Sequence, residues 1–164
     1  MTKKIVLIAG LVVVLCVGRM PTAWGEDHQA HNHSHHKESH EAHHGGSLNA
    51  IDKCEIAHVE VKVVNNVIRC WFVSGGHDTD KAVRIPDKEI RLSVILKDST
   101  KKELILQPKP IELAEEKVGD CSYFEAQADW LSFQKEFKAF GKATVKGKMR
   151  DINIQYPEGY DPDH

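Results

Sequence analysis

From Cys54 onward the chain alternates apolar and polar residues with period two. In CEIAHVEVKVV, Ala57, Val59, Val61 and Val63 alternate with His58, Glu60 and Lys62, the pattern of a strand with one buried face. Asn65-Asn66 follows, and asparagine tolerates the positive φ that a two-residue hairpin turn demands. The chain returns as VIRCWFV, a β-branched and aromatic run suited to a strand. A two-residue turn sets Val61 opposite Cys70 and Val63 opposite Ile68. Ile68, Cys70 and Phe72 then join the inner face, and His58 is expected on the solvated one.

The same alternation recurs at short intervals. RLSVILK puts Leu92, Val94 and Leu96 on one side, and KELILQ does so for Leu104 and Leu106. A short PIEL piece carries Ile111 and Leu113, and CSYFEAQA turns Phe124, Ala126 and Ala128 inward. FKAFGKATVKG sets Phe137, Ala139, Gly141, Ala143 and Val145 against lysines that read as a solvated face, and DINIQY supplies Ile152, Ile154 and Tyr156. Turn residues separate these runs at Gly75–Asp80, Pro86-Asp87, Asp98-Ser99, Gly119-Asp120 and Gly147-Lys148. The one helical turn is expected over DWLSFQKE, capped by Asp129 with Trp130 and Phe133 packing. Seven to eight short strands with almost no helix predict an all-β domain. The expected form is a single antiparallel β-sandwich of immunoglobulin-like size over residues 48–157, with a patternless tail over 158–164.

The N-terminal part has no such pattern. Lys3 and Lys4 precede an apolar run from Ile5 to Gly18, and Ala23-Trp24-Gly25 places small residues at −3 and −1 of a cut before Glu26. Residues 1–25 are therefore read as a cleaved export signal, with secretion or a periplasmic destination. The run is short for a membrane span, which needs about 20 apolar residues, so no stable membrane insertion is expected after cleavage. A lipoprotein reading at Cys16 is disfavoured because Leu15, not a small residue, precedes it.

Residues 26–47 form the second region, a disordered His-rich arm ending in the joint Gly45-Gly46-Ser47. His28, His31, His33, His35, His36, His40, His43 and His44 lie in it, eight of the chain's 11 histidines. Nothing apolar larger than alanine lies among them, so the segment lacks the means to form a core. Neutral imidazole is the commonest side-chain ligand for borderline metals, and the spacings permit many chelating pairs. The tract resembles His-rich segments of exported metal-handling proteins. Zn, Cu(II) and Ni all accept imidazole, whereas Met149 alone remains as a thioether beyond the signal, which disfavours a Cu(I) carrier. A purification tag, a solubilising tail and a pH-responsive arm are the competing readings. The interruption by Asn, Ser, Glu and Lys argues against a tag.

Three smaller features complete the candidate chemistry. His77, Asp78 and Asp80 sit in the Gly75–Asp80 loop and offer imidazole and carboxylate ligands, although a plain solvated loop has the same composition. Cys54, Cys70 and Cys121 are an odd number of thiols for an oxidising compartment. Strand parity puts Cys70 inside and favours a Cys54–Cys121 disulfide, with Cys70–Cys121 as the alternative. The tail adds His164 beside Asp161 and Asp163.

Removing Lys3, Lys4 and Arg19 from the 22 basic residues leaves 19 against 24 acidic ones, a formal charge of −5 beyond the signal. That balance argues against a nucleic-acid partner. No GxSxG, HExxH, Walker loop or GxGxxG occurs, so the sequence gives no reason to expect an enzyme. The expectation is an exported protein that buffers or delivers a divalent transition metal, with an envelope efflux or uptake system as its partner. The alternative is a cell-envelope protein-interaction module whose His-rich tail is incidental.

Overall fold

The computed structural model of the chain describes residues 41–76 and 78–162. Its strands are β1 (Ser47–Ile51), β2 (Ala57–Val64), β3 (Val67–Ser74), β4 (Ile90–Leu96), β5 (Lys101–Pro108), β6 (Tyr123–Gln127), β7 (Phe137–Val145) and β8 (Lys148–Tyr156). The β2–β3 hairpin has the register that its turn dictates, with Val61 opposite Cys70 and Val63 opposite Ile68. Asn65 takes the positive φ, at 57°.

All eight strands run antiparallel in one sheet, in the order β1-β2-β3-β6-β5-β4-β7-β8. The all-β class is as expected, but the domain is barrel-like rather than a two-layer sandwich. Two local features roll the sheet. The end of β5 pairs with β6 through Gln107–Glu125 and Pro108–Phe124, so no break into separate layers occurs there. At the far ends of the sheet, the buried Asn49 side chain joins β1 to β8. Its Oδ1 accepts from Gln155 N at 2.8 Å, and its Nδ2 donates to Ser47 O at 3.1 Å. Beyond β8, Tyr160 exchanges backbone bonds with β1: Ala50 N donates to Tyr160 O and Tyr160 N to Leu48 O. Gly159 fits this approach because a Cβ there would lie 2.4 Å from Leu48 O. The tail that shows no sequence pattern thus takes part in strand pairing.

The inward residues of the alternation make the core. Val59, Val61, Ile68, Phe72, Leu92, Leu106, Phe124, Ile152 and Ile154 are among its buried members, and Phe72 meets Phe124 edge-on at 5.6 Å. The lysines of β7 face solvent, as expected.

One strand carries no sequence pattern, and two local expectations fail for identifiable reasons. β1 has no alternation because Ser47, Asn49, Ala50 and Ile51 are all buried. PIEL is no strand but a 3-10 turn over Glu112–Ala114, with Leu113 fully exposed. DWLSF forms a 3-10 turn without a side-chain cap, and Leu131 packs inward while Phe133 stays 82% exposed.

Candidate functional site

The outward face of β2 carries His58, Glu60 and Lys62. Alternation predicts solvation, yet Glu60 is fully buried and His58 nearly so. The cover for Glu60 is the end of the histidine tract. Glu60 Oε1 accepts from the backbone N–H of His44 and of Gly46, each at 2.8 Å, and Oε2 lies 2.8 Å from His44 Nδ1. Lys62 Nζ donates to His44 O at 2.9 Å. Further along the segment, Thr79 Oγ1 donates to Glu41 O at 3.0 Å and lies 3.4 Å from His43 Nε2.

Strand register supplies the other half of the seat. Glu60 pairs with Trp71, and Trp71 with Tyr123, so the two aromatic rings stand in a row beside the carboxylate. The His44 ring stacks on Trp71 at 4.3 Å and 6°, and Trp71 on Tyr123 at 5.0 Å and 13°. Gly45 and Gly46, expected as a loose joint, form a fitted turn. Gly45 has φ +70°, and a Cβ on Gly46 would stand 2.4 Å from Val61 O. Only glycine allows backbone this close.

An ionised carboxylate only accepts hydrogen bonds. Where Glu60 is ionised, the contact is made by an Nδ1–H of His44, which leaves Nε2 as the lone-pair nitrogen of a neutral ring. This carboxylate–histidine arrangement is the one that orients imidazoles in metal sites. The His44 side chain remains 39% exposed. Below the stack, the Tyr123 hydroxyl donates to Glu125, and Arg69 Nε lies 3.2 Å from the same carboxylate. Burial, reinforced by the Glu125 contact, raises the Tyr123 pKa, so the phenol stays protonated.

His28, His31, His33, His35, His36, His40 and His77 lie outside the described residues. Among the described residues no group of three or more His, Cys, Asp or Glu is placed to hold a metal ion. Asp78 forms an ion pair with Lys81 at 2.7 Å, and Asp80 is exposed. The loop bearing them is nonetheless brought to the tract through the Thr79 contacts with Glu41 and His43.

The expected Cys54–Cys121 disulfide is absent, and no other joins Cys54, Cys70 and Cys121. Cys54, in the β1–β2 turn, donates its thiol to Asp161 Oδ1 at 3.1 Å. Cys121 faces the core, and its thiol donates to Tyr123 O at 3.0 Å. Parity misplaced Cys121 because Cys121 and Ser122, just ahead of β6, are both buried. Burial raises the pKa of Cys70 and of Cys121.

No family model, curated protein or solved structure matches this chain. Glu60, with its neighbours Lys62, Trp71, Thr79 and Tyr123, is a part of the site that sequence reasoning missed. A glutamate at an outward strand position carries no mark of burial until the covering segment is known.

Proposed function

We propose that this chain is an exported protein that binds divalent transition metal through its histidine tract, buffering the ion or delivering it to an envelope efflux or uptake system. The observation that carries the reading is the concentration of eight imidazoles between His28 and His44. The seating of the last of them on a buried carboxylate supports it. The tract's spacings offer many alternative chelating pairs, so binding should be multi-ion and of modest selectivity.

One sequence feature favours Cu(II) and Ni(II) over Zn. A cut after Gly25 leaves Glu26 with a terminal amine and His28 in third place. A terminal amine, two deprotonated peptide nitrogens and an imidazole make a planar set of four nitrogens. Cu(II) and Ni(II) accept that geometry, whereas Zn favours a tetrahedron.

The second reading, an envelope interaction module, is favoured by the exposure of Ile111, Leu113 and Val118 around one loop. Replacing all eight tract histidines by asparagine separates the two while keeping the chain's length. Under the metal reading, cells producing the exported variant lose tolerance to Cu(II), Ni(II) or Zn. Unchanged tolerance to all three, at normal protein level, overturns that reading in favour of the module.

A further inference from the structure

Residues 41–46 lie on the outward face of β2 and β3 as a peptide ligand would. Four of the hydrogen bonds run through their main chain. The N–H groups of His44 and Gly46 donate to Glu60, while His44 O accepts from Lys62 and Glu41 O from Thr79. The His44 side chain is gripped as a ring, with Nδ1 held 2.8 Å from Glu60 Oε2 and the indole of Trp71 flat against its face. The His43 ring only touches the Thr79 hydroxyl, at 3.4 Å. Two glycines must follow the ring, because Gly45 takes φ +70° and a Cβ on Gly46 would stand 2.4 Å from Val61 O.

The receiving half of this contact belongs wholly to the barrel. Glu60, Trp71 and Tyr123 are cross-strand neighbours, and the carboxylate has no exposed surface while residues 41–46 cover it. The covering segment enters the barrel at Ser47, where β1 begins, so it can lift away without breaking a strand. Main-chain bonds for affinity and a side-chain contact for specificity are the division of labour in peptide recognition.

We propose that the Glu60–Trp71 face is a docking site for a peptide segment of a partner protein, and that residues 41–46 are its resident cover. The segment it fits carries a planar ring with an N–H, a histidine in the simplest case, followed by two glycines. On docking, the partner's main-chain N–H groups take over the two bonds to Glu60 Oε1, and its ring replaces that of His44 on Trp71. The site needs no metal and is independent of the metal-binding reading. The cover lowers the partner's apparent affinity in proportion to the fraction of molecules whose site is open.

His44→Ser with Gly45→Val opens the site. The first change removes the ring, the second sets a β-branched residue at positive φ, and both lie ahead of β1. The probe is a capped peptide copying residues 41–47, Glu-Ala-His-His-Gly-Gly-Ser, titrated with EDTA present so that no metal bridges peptide and protein. NMR follows the Trp71 indole N–H, and the same spectra show that the barrel is folded. The peptide should shift Trp71 in the opened protein and bind the parent about 10-fold more weakly, as for a cover seated in about nine molecules of ten. The protection factor of the parent's His44 amide should match that ratio. Replacing the peptide's glycines by alanines should abolish binding, and Glu60→Gln in the opened protein should weaken it by about 10- to 100-fold, the scale of a charge-assisted hydrogen bond. No shift at Trp71 in the folded, opened protein overturns the proposal. So do equal affinities for parent and opened protein, or for the glycine and alanine peptides. Parent dimers that the peptide dissociates would give the site to a second copy and overturn the separate partner. Each of these failures leaves metal capture standing, because the chelator keeps metal out of the assay.

Discussion

Glu60→Ala removes the carboxylate that seats the tract. The three hydrogen bonds to Glu60, those from Lys62 and Thr79 and the His44–Trp71 stack together contribute about 7–13 kcal/mol. Fixing the six residues Glu41–Gly46 costs about 6–12 kcal/mol in conformational entropy. At mid-range the two nearly cancel, so the seat is marginal, and losing the carboxylate releases it. Release lets the orphaned N–H groups reach water, so no buried donor is left unpaired. Glu60→Ala should therefore lower global stability by about 2 kcal/mol or less, although it deletes a fully buried charged residue. Hydrogen exchange is the assay. The His44 and Gly46 amides should be protected in the parent protein and exchange freely in the variant, while β3 and β7 amides keep their protection. A stability loss of about 4 kcal/mol or more, the scale of a core truncation, would refute the reasoning, as would undiminished protection at His44 and Gly46.

Phe124→Ala, inside the barrel against Phe72, should by contrast cost about 3–5 kcal/mol in chemical denaturation. Thiol alkylation of the folded protein should label Cys54 first. Cys70 and Cys121 should react only on unfolding, because burial keeps both as neutral thiols. Burial acts on Glu116 to raise its pKa, but hydrogen bonds from Ser122 and Ile111 outweigh it and leave the carboxyl below its ordinary value of 4.5. The stability this contributes is full above pH 4.5 and is lost as pH falls through the lower folded-state value. Glu116→Gln should accordingly flatten the acid limb of a stability–pH curve, and an unchanged limb would contradict this.

Alternation and the Asn65-Asn66 turn sufficed for the β2–β3 register, and alternation alone for the inward residues of β4, β7 and β8, because those three strands are buried on one face. It failed at β1, where both faces are covered and the polar Asn49 side chain bridges to β8. It failed again at Ile111–Leu113, where an apolar pair looks like a strand but stays at the surface. Closure into a barrel was illegible for a related reason. It depends on Tyr160 and Asn49, neither of which bears a hydrophobic signal. The histidine tract announced its chemistry by composition, but not its seat. Contacts between His44 and Glu60, or His43 and Thr79, join positions far apart in the chain, and local pattern carries no information about them.

Calorimetric titration of the processed protein with Zn, Ni(II) and Cu(II), beside the same protein lacking residues 26–46, tests metal capture most directly. The account predicts binding of more than one ion by the whole chain at neutral pH, strongest for Cu(II), and its loss with the tract. Equal heats from the two proteins, or uptake no greater than that of an unstructured control peptide, would contradict it.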